Sequence, residues 1–160
     1  MKPLCAVLVL FAFVVLSSQA KAAGCYTIDE IEAEQAVRLH SEMMVLGLTC
    51  RAYFPDAYTR YNSFTVRHAV LLGGYEDRLI SHFKRVGAAN PIRAFHTRRT
   101  EIANEISGMA ATMTPIAFCG KFGVRIYEMD SLDERGVRRL ARTYTSSLAG
   151  NYLLCATALR

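Results

Sequence analysis

Apolar and polar positions follow a helical period along most of this chain. From residue 28, Ile28, Ile31, Gln35, Leu39, Met43, Leu46 and Cys50 recur every three or four residues, the spacing of one helix face. Thr27 and Glu30 stand three apart as a capping box, in which each side chain satisfies the other's backbone amide. Asp29, Glu30, Glu32 and Glu34 then place negative charge near the positive end of the helix dipole. The pattern predicts an amphipathic helix flanked by Cys25 and Cys50, with one apolar stripe toward a core.

The next periodic run carries Tyr61, Phe64, His68, Leu71, Tyr75, Leu79, Phe83 and Val86, and keeps its phase across Gly73-Gly74. It predicts one long helix with a kink or a close helix contact at the two glycines, ended by Gly87. Asn90 and Pro91 have the chemistry of an N-cap and first position for a third helix bearing Ile92, Phe95, Arg99, Ile102, Ile106 and Met109. Thr114-Pro115 breaks that pattern, and residues 116–129 accept either helix or an extended form. A second capping box at residues 131–134 opens a fourth helix with Leu132, Val137, Leu140, Tyr144, Leu148, Tyr152 and Cys155 on its stripe. With no internal repeat or linker, the expected fold is all-α: one up-down four-helix bundle-like domain over residues 23–160.

Residues 1–22 read as a secretory signal peptide. Lys2 is followed by an apolar run over residues 4–16, and Ala20-Lys21-Ala22 supplies small residues for cleavage after Ala22. The run is shorter than the ~20 residues a membrane span needs, so no transmembrane helix is expected in the mature chain. Ala22-Ala23-Gly24-Cys25 loosely resembles a lipobox. Against lipidation, Ala22 replaces a large aliphatic residue, and Gln19 and Lys21 separate Cys25 from the apolar run.

Cleavage removes Cys5 and leaves Cys25, Cys50, Cys119 and Cys155, an even number suited to two disulfides in a periplasmic or secreted protein. The first helix holds its ends about 30 Å apart at 1.5 Å per residue, beyond the ~7 Å reach of a disulfide, so Cys25 cannot pair with Cys50. Threading the helices up, down, up, down brings Cys50 to Cys119 at one end and Cys25 to Cys155 at the other. There is no CxxC or CxxCH, which argues against a thioredoxin-like site, a zinc ribbon or a c-type haem.

Leu46-Gly47-Leu48-Thr49-Cys50, Tyr61-Asn62-Ser63-Phe64, His82-Phe83-Lys84-Arg85, Ala103-Asn104-Glu105-Ile106-Ser107 and Phe118-Cys119 are five further segments of note. Together they resemble a set of small exported bacterial helical proteins with paired cysteines and no assigned activity. The resemblance carries packing positions and the cysteines at 50 and 119, in keeping with the pairing above. It implies no catalytic residue.

Three groups of side chains carry candidate chemistry. His40, Met43 and Met44 place imidazole and thioethers on one helical turn, a soft site for Cu(I), although Met43 also lies on the core stripe. His68, Arg99, Glu101 and Glu105, with His96 and Asn104 nearby, form a polar cluster that reads first as structural ion pairing and second as an active site. Arg135, Arg138, Arg139 and Arg142 make a basic stripe expected beside the C-terminal half of the first helix, where Glu42 is the one acid. A solvated face explains such a stripe, and so does an anionic partner. With a formal charge of +5 and an export signal, that partner is an envelope lipid or polysaccharide rather than nucleic acid.

No nucleophile motif, phosphate loop, zinc signature or cofactor motif appears, and Glu-x-x-His pairs of the di-iron kind are missing. The expected function is therefore an exported binding or structural module. A periplasmic copper binder and a cell-wall hydrolase or its inhibitor are the alternatives; the hydrolase would need only two carboxylates.

Overall fold

The computed structural model describes residues 24–143 and 152–155. The signal peptide read at residues 1–22 and the stripe positions Tyr144 and Leu148 lie outside the described residues. Seven helices and no strand occur among the described residues: α1 (Ile28–Thr49), α2 (Ala57–Arg67), α3 (Ala69–Arg85), α4 (Pro91–Thr112), α5 (Pro115–Phe122), α6 (Arg125–Asp130) and α7 (Glu134–Thr143). None is long and apolar enough to cross a membrane.

α1 starts as its sequence dictates. The Thr27 hydroxyl accepts from the Glu30 amide, and the Glu30 carboxylate accepts from the Thr27 amide at 2.8 Å. The single apolar stripe does not hold, however. Ile28 is 54% exposed, whereas Glu30, Glu32, Glu34, Arg38, His40, Ser41 and Glu42 are buried with Leu39, Met43 and Leu46. The cause is position: α2, α3, α4 and α7 all pack against α1, so several of its faces are covered. An amphipathic helix docks on one side; this one is a central post.

The long second helix is two. The break falls at the buried His68, which ends α2 and precedes α3, and whose imidazole Nε2 lies 3.1 Å from the Leu132 carbonyl. Gly73 and Gly74 lie inside α3 instead. A Cβ at either would meet no described atom within 4 Å, so neither glycine makes a close helix contact. Asn90 and Pro91 open α4 as their chemistry requires, the Asn90 side chain accepting from the Arg93 amide at 2.9 Å.

Residues 116–129, open to either state in the sequence, are mostly helical, as α5 and α6. The second capping box is corrected. The Ser131 hydroxyl donates to the Glu128 carbonyl at 2.7 Å, and Asp133 takes over as the cap, accepting from the Gly136 amide at 2.7 Å. Nor does a helix run on to Cys155: residues 152–155 are non-helical, with a parallel bridge from Leu154 to Tyr26.

Disulfides join Cys25 to Cys155 and Cys50 to Cys119, with Cα atoms 4.9 and 5.4 Å apart. They tie chain segments 130 and 69 residues apart, and such bonds suit an oxidising compartment. Phe64, Phe95, Phe118, Leu39, Met43 and Leu46 fill the core that the two bonds bracket.

Candidate functional site

Burying a charged helix demands partners for each charge. Glu30 accepts from the Arg85 guanidinium at 2.5 and 3.1 Å and lies 3.2 Å from His82 Nδ1. Burial pushes its carboxyl up, but the bonds from Arg85, the Thr27 amide and His82 outweigh that and hold it below the usual range. Glu32 is held down in the same way, burial being outweighed by Arg142 and by the Tyr75 hydroxyl, each at 2.8 Å. Burial and then Glu32 push the Tyr75 phenol up to about 12. Glu34, almost wholly buried, takes Arg98 at 2.6 Å. Arg38 donates to Glu105 at 2.8 Å, and Arg125 reaches Glu42 at 2.6 Å. The four buried acids of α1 therefore draw one arginine each from α3, α7, α4 and α6.

The predicted polar cluster is assembled only in part. Glu101 and Glu105 converge on Arg98, at 3.2 and 3.6 Å. Arg99 pairs instead with Glu76 at 3.1 Å, and His68 with the Leu132 carbonyl. Glu34, Arg38, Arg98 and Tyr152, which complete the network around Glu105, were not singled out by spacing. One signal did point to them. Glu30 and Glu34 are four apart and share a face, while Glu32, two from each, lies on another, so acids occupy more than one face and a helix covered on several sides must bury some of them.

His40 is buried, stacks on Tyr61, and lies with Nε2 3.0 Å from the Thr65 hydroxyl. That hydroxyl gives its own proton to the Tyr61 carbonyl at 2.9 Å, so the imidazole Nε2 carries hydrogen and donates. Burial, and then Arg99, lower the His40 pKa to about 4. Met43 is fully buried in the core and Met44 half-buried against it. No group of three or more His, Cys, Asp or Glu side chains suited to a metal ion occurs among the described residues. Burial raises Glu42 to about 7, the range of a general acid, with Arg125 and Arg38 only partly opposing it.

Among the openings of the described surface, three are well defined. A shallow groove of about 600 Å³ runs along α4 past Ile92, Arg93, His96, Thr100 and Asn104. A pocket of about 220 Å³ lies between α3 and α7. A third, of about 400 Å³, is lined by Arg135, Arg138, Arg139, Arg142 and Thr143. Glu42 lines none of them.

The basic stripe thus gathers at one opening, but not where the sequence places it. Arg142 meets Glu32 near the N-terminal end of α1, while Glu42 belongs to Arg125. Arg135 approaches Asp133 at 3.5 Å, and Arg138 and Arg139 have no carboxylate within ion-pair distance among the described residues. Guanidinium groups in such an array offer paired donors to phosphate, sulfate or carboxylate. Comparison with protein-family models, curated proteins and solved structures finds no match to this chain.

Proposed function

We propose that the protein is an exported, disulfide-stapled binding module that takes an anionic partner of the cell envelope on the arginine face of α7. The observation that carries this reading is the opening lined by Arg135, Arg138, Arg139 and Arg142, where only Arg135 and Arg142 have a described acid within ion-pair distance. The four buried acids of α1, by contrast, are each matched by an arginine. Arg138 and Arg139, without such an acid, stand together with two further arginines at that opening, and concentrated charge of one sign raises the local concentration of the opposite one.

The scaffold in this reading is an up-down bundle of α1, the α2–α3 pair, α4 and α7, one domain over residues 23–160. Residues 1–22 act as the signal peptide and deliver it to the periplasm or beyond, where the two disulfides form. The N-terminus of the mature protein, read by mass spectrometry, tests the export half. Binding is tested with the mature protein on heparin and on vesicles containing phosphatidylglycerol. The expectation is binding that weakens steeply with salt and is lost in Arg138→Glu, Arg139→Glu, with the melting temperature kept. A wild-type protein that ignores both probes at low salt ends the reading.

A further inference from the structure

The smaller pocket, between α3 and α7, shares Arg138 with the arginine opening, so the two are neighbours on one surface. Its lining mixes apolar side chains with charged ones. Leu71 and Tyr75 are buried beneath it, and Val70 at its edge is 90% exposed, the most exposed of the large apolar side chains described. Gly74 lies between them on the same helix face. A Cβ there would meet no described atom within 4 Å, so the missing side chain leaves usable space. The charged groups facing it are Arg78, Arg138 and Glu134, two cations against one acid.

Size limits what can enter. At about 220 Å³ the pocket is smaller than the ~300–1,000 Å³ of sites that engulf a whole drug-sized ligand. It has room for one slender group, with the rest of its owner left outside, beside the arginines. A polysaccharide offers Val70 and Leu71 only the C–H faces of hydroxyl-bearing rings. A lipid has an acyl chain for the pocket and an anionic phosphate for Arg78, Arg138 and the adjoining stripe.

We infer that the α3–α7 pocket and the arginine opening form one site for an anionic phospholipid, with part of an acyl chain over Gly74 and the phosphate on Arg78 and Arg138. This rests on the anion-binding reading of α7 and names its ligand class. Glu134 then works against the ligand, and that sign is itself testable.

The experiment uses the mature protein and soluble probes, by calorimetry at low salt: monomeric lysophosphatidylglycerol, glycerol 3-phosphate as the head without the chain, lysophosphatidylcholine as the zwitterion, and heparin. Lysophosphatidylglycerol should bind at least about tenfold tighter than either small control, since buried methylenes add to the phosphate contact. Gly74→Leu, which fills the pocket, should erase that advantage and leave heparin binding intact. Val70→Ser gives the same test independently should Gly74→Leu fail to fold. Glu134→Gln should strengthen lysophosphatidylglycerol binding severalfold. Heparin binding without any preference for the lipid over glycerol 3-phosphate overturns the inference and leaves the anion-binding reading standing. A folded Gly74→Leu that binds the lipid like wild type overturns it too. Failure of every anionic probe removes both.

Discussion

The Tyr75 hydroxyl donates to Glu32 Oε1 across 2.8 Å, tying α3 to the acidic end of α1. Arg142 completes the same carboxylate from α7. Tyr75→Phe should therefore cost about 1–3 kcal/mol, because it leaves a buried acceptor short of a donor. Urea denaturation measures it.

The arginines of α7 should divide by partner. Arg142→Glu sets a second negative charge against Glu32 and should lower the melting temperature clearly. Arg138→Glu and Arg139→Glu should stay within ~0.5 kcal/mol of wild type. A melt of each single variant reads the difference, and equal effects at all three positions would show that Glu32 does not need its cation.

Acid stability should show two opposed contributions. His40 titrates near 4 in the folded chain against an ordinary 6.5, so only the unfolded state gains its proton as pH falls through 6.5, and stability is lost down to about 4. Glu42 titrates near 7 against an ordinary 4.5, so the folded state takes its proton first and stability rises as pH falls from 7 to 4.5. Each shift corresponds to roughly 3 kcal/mol at most, and the two should nearly cancel between pH 6.5 and 4.5. Below that window Glu30 and Glu32, whose folded pKa values are lowered, begin to cost stability. Glu42→Gln should unmask the His40 slope and lose stability from pH 6.5 downward, while His40→Asn should gain stability over the same range. Parallel curves for both variants would reject the cancellation.

Two glycines should respond in opposite directions. Gly74→Ala adds a methyl to open space inside α3 and should stabilise by about 0.5–1 kcal/mol through helix propensity. At Gly123 an added Cβ would fall 2.9 Å or less from the Phe54 ring and the Cys119 carbonyl, so Gly123→Ala should destabilise. Thermal melts of the two variants give both signs.

The disulfides should contribute unequally. Their separations of 130 and 69 residues correspond, on the loop-entropy model, to roughly 5 and 4 kcal/mol as upper values for Cys25–Cys155 and Cys50–Cys119. Peptide mapping without reductant should recover those two pairs, and alanine replacement of each pair should rank the costs in that order.

Local chemistry was legible wherever it is settled within a few residues. The Thr27–Glu30 box, the Asn90–Pro91 start and the helical state of most segments depend on neighbours in sequence. The cysteine pairing was legible too: the length of α1 excludes Cys25–Cys50 whatever happens later in the chain, and threading the helices up and down chooses between the two pairings left. What escaped was burial. Periodicity reports which face of a helix is greasy, not how many faces are covered, so the pattern predicts a single buried stripe for α1. The break at His68 was hidden for a related reason: its anchor, the Leu132 carbonyl, is 64 residues away. The arginine stripe was found as a stripe, but its neighbour on α1 was set by packing, which put Glu32 beside it rather than Glu42.

The central position of α1 also bears on the order in which the molecule comes together. Of the described helices a ribosome delivers this one earliest, carrying acids whose cations arrive as late as Arg142, 110 residues after Glu32. Until those arginines are present, the carboxylates keep their water, and the post cannot be enclosed. Local helices can form and melt as the chain lengthens, but closure around α1 waits for nearly the whole of it. The newborn chain is thereby held back from folding too soon, a delay written into its charges.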